Sequence, residues 1–572
     1  MDIPEGLKDI ESFDVRHGPI ISAFCDKICL SSTIDNALES QMEVSPGKIV
    51  KGLILNTLAG RDPLYRVEEF FSHQDTALLV GKTVRASDFT DDNIGRVLDR
   101  IYSYGTQKLF CELSLEAVKK FNIDTKQVHQ DTTSVSVWGD YLDKDGPFEI
   151  NYGHSKDKRR DLKQFVLSLL CVEKDIPIEA KIYSGNEDDK TISKGILGRI
   201  SSYMAKYGID SEGYIYTGDC SMVTGENLAL MGGMDDPKVK FISRMPATFG
   251  MVGTLVSEAV SKNMWTGIGI LSEEDKGSSA YYRSYECQVE IEGRTYRTVV
   301  FHSDFHDRRR KKKIDREIKK DLESAKKIKK KLTGTEYFCK KDAEVAAEKE
   351  KPPKYHRLKI DIEEKKIYKK GRPKDGKKEV AAARYILKCN ITPDDKLIEV
   401  LKAEAGCFVL ITNVGAGQHC AADILKIYKE QHGIEKNFGF LKDPLIVNDL
   451  FLKKTERIEA LGFILVMSLL IWRLIERCIR KYVKEKDITI TGWDKKQTDK
   501  PTTFMMSTKF CSVHILRKDD MRWLSREITD VQKQYLDALG LGEEIFYTAA
   551  DQYYLGRIIK IRELKIFFRY CF

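Results

Sequence analysis

The first 125 residues carry apolar side chains at the three- and four-residue spacing of amphipathic helices. Ser45 precedes Pro46, which is the arrangement of an N-cap followed by a proline at the first helical position. Thr90 occupies the same place before a second helix, whose apolar residues between Ile94 and Ile101 share one face. The pattern predicts a helical N-terminal domain over residues 1–125, which binds DNA, contacts a second subunit or serves as a structural module only.

Strand-like alternation replaces this helical spacing at Val128. The stretch Val128–Tyr141 alternates and is rich in β-branched residues, so it predicts a strand that carries Asp131. Further strands are predicted at Leu162–Val172, Pro177–Tyr183, Gly213–Thr217, Val239–Ser243 and Cys407–Thr412, and helices at Asp188–Tyr207 and Thr224–Leu230. Because three strands follow one another before the first of these helices, the sequence predicts an α/β core with a mixed sheet.

Two aspartates occupy positions in this core that a dry interior disfavours. Asp131 lies within its strand, and Asp219 comes directly after the strand Gly213–Thr217. Charged residues avoid an apolar sheet face, and the carboxyl ends of strands are where α/β sheets place ligands. Both residues are therefore candidates for a functional site. The alternative is that each caps a turn or bonds nearby backbone.

An insertion with a hairpin and strongly basic segments interrupts the α/β pattern. Tyr285–Ser303 alternates around a Glu-Gly turn, which predicts a β-hairpin. Asp307–Leu332 predicts a helix with 14 Lys or Arg against 5 Asp or Glu. The charged stretch Ala343–Pro353 is expected to be a flexible linker, and Lys365–Lys378 a basic loop.

The basic residues of this insertion indicate a polyanionic partner. Charge runs are usually solvated faces, but two runs of the same sign in one insertion favour phosphate neutralisation, which supplies most sequence-independent DNA affinity. We therefore predict DNA contacts from Arg308, Arg309, Arg310, Lys311, Lys312, Lys313 and Arg372.

A third acidic residue lies on a predicted helix over Asp423–Lys442. Residues three, four and seven apart lie on one helix face, which places Glu435 in a polar stripe. The other members of this stripe are Tyr428, Gln431 and Lys442. An adjoining apolar stripe would anchor the helix to the core and hold Glu435 at a set depth. The same pattern also suits an amphipathic surface helix with a solvated charged edge.

The overall composition is that of a soluble, cytosolic protein. Hydrophobic residues make up 42% of the chain, and Lys and Arg exceed Asp and Glu by 95 to 87. The 13 cysteines form no zinc or disulfide framework, and the N-terminal residues lack the regions of a signal peptide. The longest apolar run, Leu461–Trp472, is too short to cross a bilayer and predicts a buried helix within Arg457–Lys481. We expect no membrane contact.

Three carboxylates in the order Asp131, Asp219 and Glu435 suit a divalent-metal site. Hard cations prefer oxygen ligands, and Mg²⁺ is often held by one or two carboxylates together with substrate phosphates. Two such ions, roughly 3.5–4 Å apart, stabilise the attacking and leaving oxygens of an in-line phosphoryl displacement. Spacing along the chain does not by itself bring the three residues together.

The motifs around these acids resemble those of the DDE transposases of prokaryotic insertion sequences, in the subgroup with the Y-x2-R-x3-E-x6-K signature. The signature positions are occupied by Tyr428, Gln431, Glu435 and Lys442, with Gln in place of Arg. The blocks HQDTTSVSVWGDY and YTGDCSMVTGENL surround the two aspartates, and GHSKDKRRDLKQF and SGNEDDKT follow the first block. With DFTDDNIGRVLDRIY nearer the N-terminus, the resemblance covers most of the chain to about residue 480.

This resemblance implies an RNase H-like core in two parts, residues 126–249 and 406–485, separated by the insertion 250–405. The residue pattern beyond it predicts a C-terminal helical region over 486–572. The resemblance also implies that two Mg²⁺ or Mn²⁺ ions are bound by the three acids. The implied reaction is hydrolysis at the transposon ends, followed by direct attack of the freed 3′-hydroxyl on target DNA. The metals, rather than a side chain, would activate each nucleophile.

Double-stranded DNA, as transposon ends and as target, is the implied partner, and a homodimer is expected when two ends are brought together. Tyr428 and Lys442 are implied contacts to the DNA backbone, whereas Gln431 cannot neutralise a phosphate as Arg does. The candidates to substitute for that charge are His432, Lys436 and the basic cluster that contains Lys156, Arg159 and Arg160. The expected location is the cytoplasm, in association with the nucleoid.

Two other functions fit the same residues. One is a metal-dependent nuclease on the same fold that cuts DNA without joining it. The other is a DNA-binding relic without catalysis, against which the presence of all three acids argues. Strand-transfer products separate the transposase from the nuclease.

Overall fold

The computed structural model describes residues 10–141, 146–210, 213–271, 279–370, 380–443 and 452–547. The chain divides into two compact units. The first comprises residues 1–232, 236–242 and 427–572, and the second comprises residues 233–235 and 243–426. The division into five domains given above stays a prediction.

Helices dominate residues 10–125, as predicted. The elements there are β1 (Glu11–Phe13), α1 (Gly18–Lys27), α2 (Leu30–Ala37), α3 (Pro46–Leu55), α4 (Val67–Ser72), α5 (Thr76–Leu79), α6 (Asp91–Tyr104) and α7 (Thr106–Phe121). Ser45 and Thr90 are the N-caps of α3 and α6, and the Thr90 hydroxyl accepts a hydrogen bond from the Asn93 amide at 3.2 Å. The apolar face of α6 is buried, as its periodicity predicts.

A buried ion cluster joins this helical region to the C-terminal residues of the same unit. Asp75 is fully buried and accepts hydrogen bonds from Arg522 Nε at 2.6 Å and from Arg517 Nη1 at 3.1 Å. It also caps α5 through the Leu78 amide at 3.1 Å. Two guanidinium groups thus share one buried carboxylate, and Arg517 also pairs with Glu11 at 2.6 Å.

We expect Asp75→Ala to lower the free energy of unfolding by about 3–5 kcal/mol, because it leaves the mostly buried Arg522 without its carboxylate and Arg517 with Glu11 alone. Urea denaturation measures this change. Glu69→Ala removes an equally short but exposed pair with Arg66 and serves as the control, with little expected change. An equal effect of the two substitutions would contradict the prediction.

The predicted mixed sheet is present. Its strands in this part of the chain are β2 (Gln127–Val137), β3 (Lys163–Val172), β4 (Ile176–Ser184), β5 (Ile215–Gly218) and β6 (Phe241–Arg244). The helices are α8 (Asp189–Leu197), α9 (Ile200–Ala205) and α10 (Gly225–Met231). The strand order is β4-β3-β2-β5-β6. β2 pairs antiparallel with β3 and parallel with β5, which makes the sheet mixed.

The second unit contains the insertion. Its elements are α11 (Met251–Lys262), β7 (Thr266–Ile270), β8 (Tyr281–Ile291), β9 (Arg294–Ser303), α12 (Asp304–Thr333), β10 (Glu336–Tyr337), α13 (Lys340–Glu348), β11 (His356–Tyr368), β12 (Val380–Pro393), α14 (Asp395–Ala403) and β13 (Cys407–Thr412). The predicted hairpin β8–β9 and the predicted basic helix α12 are confirmed. A second antiparallel ribbon, β11–β12, packs against α12 through Leu332 and Leu387.

The final helices and strands complete the first unit. They are α15 (Ala421–Glu430), which straddles the boundary between the units, α16 (His432–Leu441), α17 (Thr455–Lys486), β14 (Ile490–Thr491), β15 (Gln497–Thr498), α18 (Thr503–Lys509), β16 (Ile515–Lys518), β17 (Met521–Leu524) and α19 (Asp530–Leu539). α17 is long and apolar enough to cross a membrane, but 78% of its most apolar window is buried within the protein. It packs on β4, α6 and α7, as expected for the central helix of a soluble protein.

Four sequence predictions need correction. The helix predicted over Asp188–Tyr207 is two helices, because the chain turns at Gly198 and Arg199. The helix predicted over Asp423–Lys442 is broken at Gln431 into α15 and α16. Most of the predicted linker Ala343–Pro353 is helical in α13, because Ala343 packs into a small apolar core under the ribbon.

The predicted basic loop Lys365–Lys378 begins instead within β11, where Lys365 pairs with Arg384 of β12. Its side chain forms an ion pair with Glu336 at 2.6 Å. Alternating burial ends at Ile362, and backbone pairing with β12 alone carries the strand on to Tyr368. Arg372 lies outside the described residues.

Candidate metal and nucleic-acid site

Asp131 lies within β2, and Asp219 directly follows the end of the neighbouring parallel strand β5. The register between β2 and β5 pairs His129 with Thr217. Both acids are two residues further along, and Asp219 keeps an extended backbone with φ −73° and ψ 178°. Adjacent strands are about 4.8 Å apart and side chains two residues apart share a sheet face, so the two carboxylates emerge on the same face as neighbours.

The Asp219 carboxylate is held by the chain that follows it. Its Oδ1 accepts hydrogen bonds from the Ser221 amide at 2.9 Å and from the Ser221 hydroxyl at 2.5 Å. Asp219 therefore does cap a short turn, over Cys220–Met222. This bond fixes the orientation of the carboxylate while it faces Asp131.

Burial raises the pKa of the Asp131 carboxyl from 3.8 to about 6. The negative charges of Asp219 and Asp189 raise this pKa further, whereas Lys156 and the Thr132 amide oppose the shift. The amide donates to Asp131 Oδ1 at 2.7 Å, and about one fifth of the side-chain surface is exposed. Burial and the neighbouring negative charges thus disfavour the ionised form of Asp131. A divalent cation would offset this effect.

Asp131→Asn should therefore stabilise the metal-free protein at neutral pH. The native state binds the Asp131 proton more tightly than the unfolded state, so wild-type stability falls as pH rises from about 4 to about 6 and this loss is complete above that range. We expect the variant to gain about 2–3 kcal/mol over wild type above pH 6 and to lose this advantage near pH 4. Urea denaturation in EDTA at pH 4.5 and 7.5 measures the difference, and a gap that is equal at both values would contradict it.

Asp189 and Lys156 belong to the same cluster. Asp189 was not among the residues predicted from the sequence. Lys156 Nζ lies 3.9 Å from Asp131 Oδ1 and 3.5 Å from Asp189 Oδ2. It donates to the Thr132 carbonyl at 2.6 Å and to the Thr132 hydroxyl at 2.9 Å, and that hydroxyl donates to Asp189 Oδ1 at 2.6 Å. Asp189 lies in the quoted block SGNEDDKT, but two adjacent aspartates there gave no signal as to which one turns inward.

Glu435 lies on α16 near this cluster. The helix begins at Gln431, whose Nε2 donates to the carbonyl of Gln130, the residue before Asp131, at 3.5 Å. Glu435 follows one turn later on the same helix face. Its side chain is 64% exposed, and Oε2 lies 2.5 Å from His432 Nδ1.

The three predicted ligands are therefore not assembled as a closed set. Within the described ranges, no group of three or more His, Cys, Asp or Glu side chains is arranged to hold a metal ion. Asp131 and Asp219 are neighbours, whereas the Glu435 carboxylate pairs with His432 instead.

Packing contacts fix the position of α16 and therefore of the Glu435 backbone. Gly433 lies so close to strand connection 173–175 that a Cβ would be 2.4 Å from the Lys174 carbonyl. The buried Asn437 side chain donates to the Asp175 carbonyl at 2.8 Å and accepts from Arg473 Nε at 2.7 Å. These contacts hold the helix against the sheet.

Basic and aromatic side chains border the acids. Lys442 Nζ, at the end of α16, pairs with Asp157 at 2.8 Å. In the same loop as Asp157, the Arg159 guanidinium lies 5.2 Å from the ring centroid of Trp138, which is 64% exposed, and also pairs with Asp161. Arg160 is exposed. Two members of the predicted DNA-binding set, Tyr428 and Gln431, lie within this unit on α15 and at the start of α16.

The predicted DNA-binding residues of the insertion are on the surface of α12. Arg308, Arg309, Arg310, Lys312 and Lys313 are exposed, and Lys311 is half-buried. Arg308, Lys311 and Lys313 form ion pairs with acids of the same helix. The Trp265 ring, also in the second unit, packs against Arg283 and His302.

Residues 10–115 match DUF4277, a domain of unknown function. DUF4277 is found in transposase-like proteins. The match spans α1–α6 and the larger part of α7, and it ends before the first candidate site residue. No curated protein matches the chain. The DUF4277 match thus supports a transposase-like setting and leaves the subgroup signature a prediction.

Proposed function

We propose that the protein is a transposase that cleaves transposon ends in a metal-dependent reaction and transfers the 3′-hydroxyl ends to target DNA. The observation that carries the proposal is the placement of Asp131 and Asp219 at matched positions on parallel neighbouring strands. Their mutual repulsion and the burial of Asp131 favour a divalent cation between them. The DUF4277 match at residues 10–115 supports the same function.

The sheet supports an RNase H-like core for this proposal. β2 carries the first acid and lies between an antiparallel strand and the parallel strand that leads to the second. The third acid arrives on a helix after the long insertion, and that helix contacts β2 through Gln431 and Gln130. This is the chain order that the resemblance implies.

The donor set fits two Mg²⁺ or Mn²⁺ ions. All of the acids are oxygen donors, and Mg²⁺ takes few protein carboxylates when DNA phosphates complete its shell. When bound, the ions would supply Lewis-acid stabilisation of the attacking and leaving oxygens. Asp131 and Asp219 would hold them, with Glu435 rotating away from His432 to join.

The chain's own groups would position the DNA. Lys442 and Arg159 carry charge at the border of the acids, each now paired with an aspartate that a phosphate would replace. Gln431 is engaged with the Gln130 carbonyl, so the charge missing at the signature Arg position would come from this border. On α12, exposed Lys and Arg would bind the DNA backbone without reading its sequence.

Residues 10–115 are better suited to a second subunit than to DNA. They contain 15 Asp or Glu and 11 Lys or Arg, which is a net charge of −4. A DNA-binding surface needs the opposite balance. A homodimer that brings two transposon ends together would place its subunit contact there.

Incubation of the protein with DNA that carries the repeats flanking its own gene, together with Mg²⁺, tests the proposal. A transposase yields nicked ends and joined strand-transfer products. The metal-dependent nuclease yields the nicks alone, and the DNA-binding relic yields neither while still shifting the DNA on a gel. Joined products would exclude both alternatives.

A further inference from the structure

Both the backbone amide and the side-chain ammonium of Lys156 form hydrogen bonds within the acidic cluster. Its backbone amide donates to the Ser134 hydroxyl at 2.9 Å, and its ammonium donates twice to Thr132. β5 ends at Gly218, so β2 extends past its parallel neighbour at this point. The ammonium reaches the Thr132 carbonyl in that region, beside Asp131 and Asp189.

We propose that Lys156 is a resident cation of the site, which balances Asp131 and Asp189 in the metal-free protein and competes with the divalent metal. This inference rests on the proposed metal-dependent function. It assigns to Lys156 a positioning role that sets metal affinity, in place of a contact to DNA.

The charges of the cluster support this competition. The carboxylates of Asp189 and Asp219 both act on that of Asp131, and Lys156 lies within ion-pair distance of Asp131 and Asp189. A divalent ion beside Asp131 would lie within a few ångströms of the ammonium and be repelled by it. A lysine suits such a role because its charge is compact and its stem is flexible.

Release of Lys156 is also physically accessible. Its side chain is 35% exposed, so the ammonium has a path to water. Its shortest bonds are to neutral oxygens of Thr132, and the two carboxylates lie at 3.5 and 3.9 Å. Displacement by a metal therefore breaks no tight charged pair.

Isothermal titration of the metal-free proteins with MgCl₂ at pH 8 tests the inference. Removal of the competing charge in Lys156→Met should tighten Mg²⁺ binding about tenfold. Lys156→Arg keeps the charge and should bind Mg²⁺ about as wild type does. Lys158→Met removes an exposed charge from the same loop and should leave the affinity unchanged. In EDTA, Lys156→Met should also melt at a lower temperature than wild type, because Asp131 and Asp189 lose their counter-ion.

Equal Mg²⁺ affinities of wild type and Lys156→Met would overturn the inference, even if the variant were less stable. A loss of DNA affinity with unchanged Mg²⁺ affinity would also overturn it and would assign Lys156 to the DNA interface. If neither protein binds Mg²⁺ or Mn²⁺ at millimolar concentrations, the proposed metal-dependent function itself fails, and this inference fails with it.

Discussion

Asp131→Asn, Asp219→Asn and Glu435→Gln are each expected to abolish cleavage of transposon-end DNA while leaving DNA binding largely intact. Each substitution replaces a charged oxygen donor with a neutral amide of the same shape. Loss of about 4 kcal/mol or more of transition-state stabilisation corresponds to a rate decrease of about a thousandfold or more. DNA affinity depends on the Lys and Arg residues, which all three variants retain.

The three positions differ in what their loss would reveal. Asp131 and Asp219 are already neighbours, so either substitution removes half of the preformed pair. Glu435 is exposed and paired with His432, so Glu435→Gln tests whether its side chain turns toward the pair during the reaction. A full loss of cleavage in this variant would mean that it does.

Nicking of labelled end DNA in Mg²⁺ measures cleavage, and a gel shift in EDTA measures DNA binding. Asp188→Asn is a matched control, because Asp188 is an exposed aspartate next to the clustered Asp189. Its cleavage rate should equal that of wild type. Loss of DNA binding in all three site variants would show that these acids serve folding, and unchanged cleavage in Asp131→Asn would remove Asp131 from the catalytic set.

Neutralisation of the start of α12, with Arg308–Lys313 all changed to Gln, should weaken DNA binding by about 10–100-fold near 0.1 M salt. It should also flatten the dependence of log K on log[salt] by about 3. The expected slope change is smaller than six charges would give, because Arg308, Lys311 and Lys313 are already paired with acids of the same helix. Arg309, Arg310 and Lys312 are the exposed remainder.

Fluorescence anisotropy with specific and scrambled duplexes from 50 to 300 mM KCl checks this result. Both duplexes should lose affinity equally, because these side chains are expected to contact phosphates and no bases. The double variant Lys119→Gln, Lys120→Gln removes exposed positive charges from α7 of the first unit and should keep the wild-type slope. An unchanged slope in the α12 variant would remove the insertion from the DNA interface.

Periodicity predicted the individual elements well and their breaks poorly. The strand of Asp131, the strand before Asp219, the Glu-Gly hairpin and the basic helix were all anticipated from alternation and helical spacing. The break at Gln431 was not, because the apolar stripe continues through it; the break coincides with a tertiary contact, the close approach of Gly433 to the Lys174 carbonyl.

The pairing of Asp131 with Asp219 depended on register, which chain spacing does not contain. Once β2 and β5 pair in parallel with His129 opposite Thr217, the two acids are fixed as neighbours. The side chains of Asp189 and Lys156 both point into the cluster. Both form a hydrogen bond with the Thr132 hydroxyl. Only the folded arrangement of side chains reveals such a bond.

The extension of β2 beyond β5 has a further consequence for solubility. Past His129, one edge of β2 has no strand partner among the described residues, and a bare strand edge invites pairing with other chains. The Lys156 ammonium bonds the Thr132 backbone carbonyl in this part of β2, and the Lys156 amide bonds the Ser134 hydroxyl. The segment that borders the acids therefore also occupies a backbone acceptor that another chain's strand would need in order to pair here.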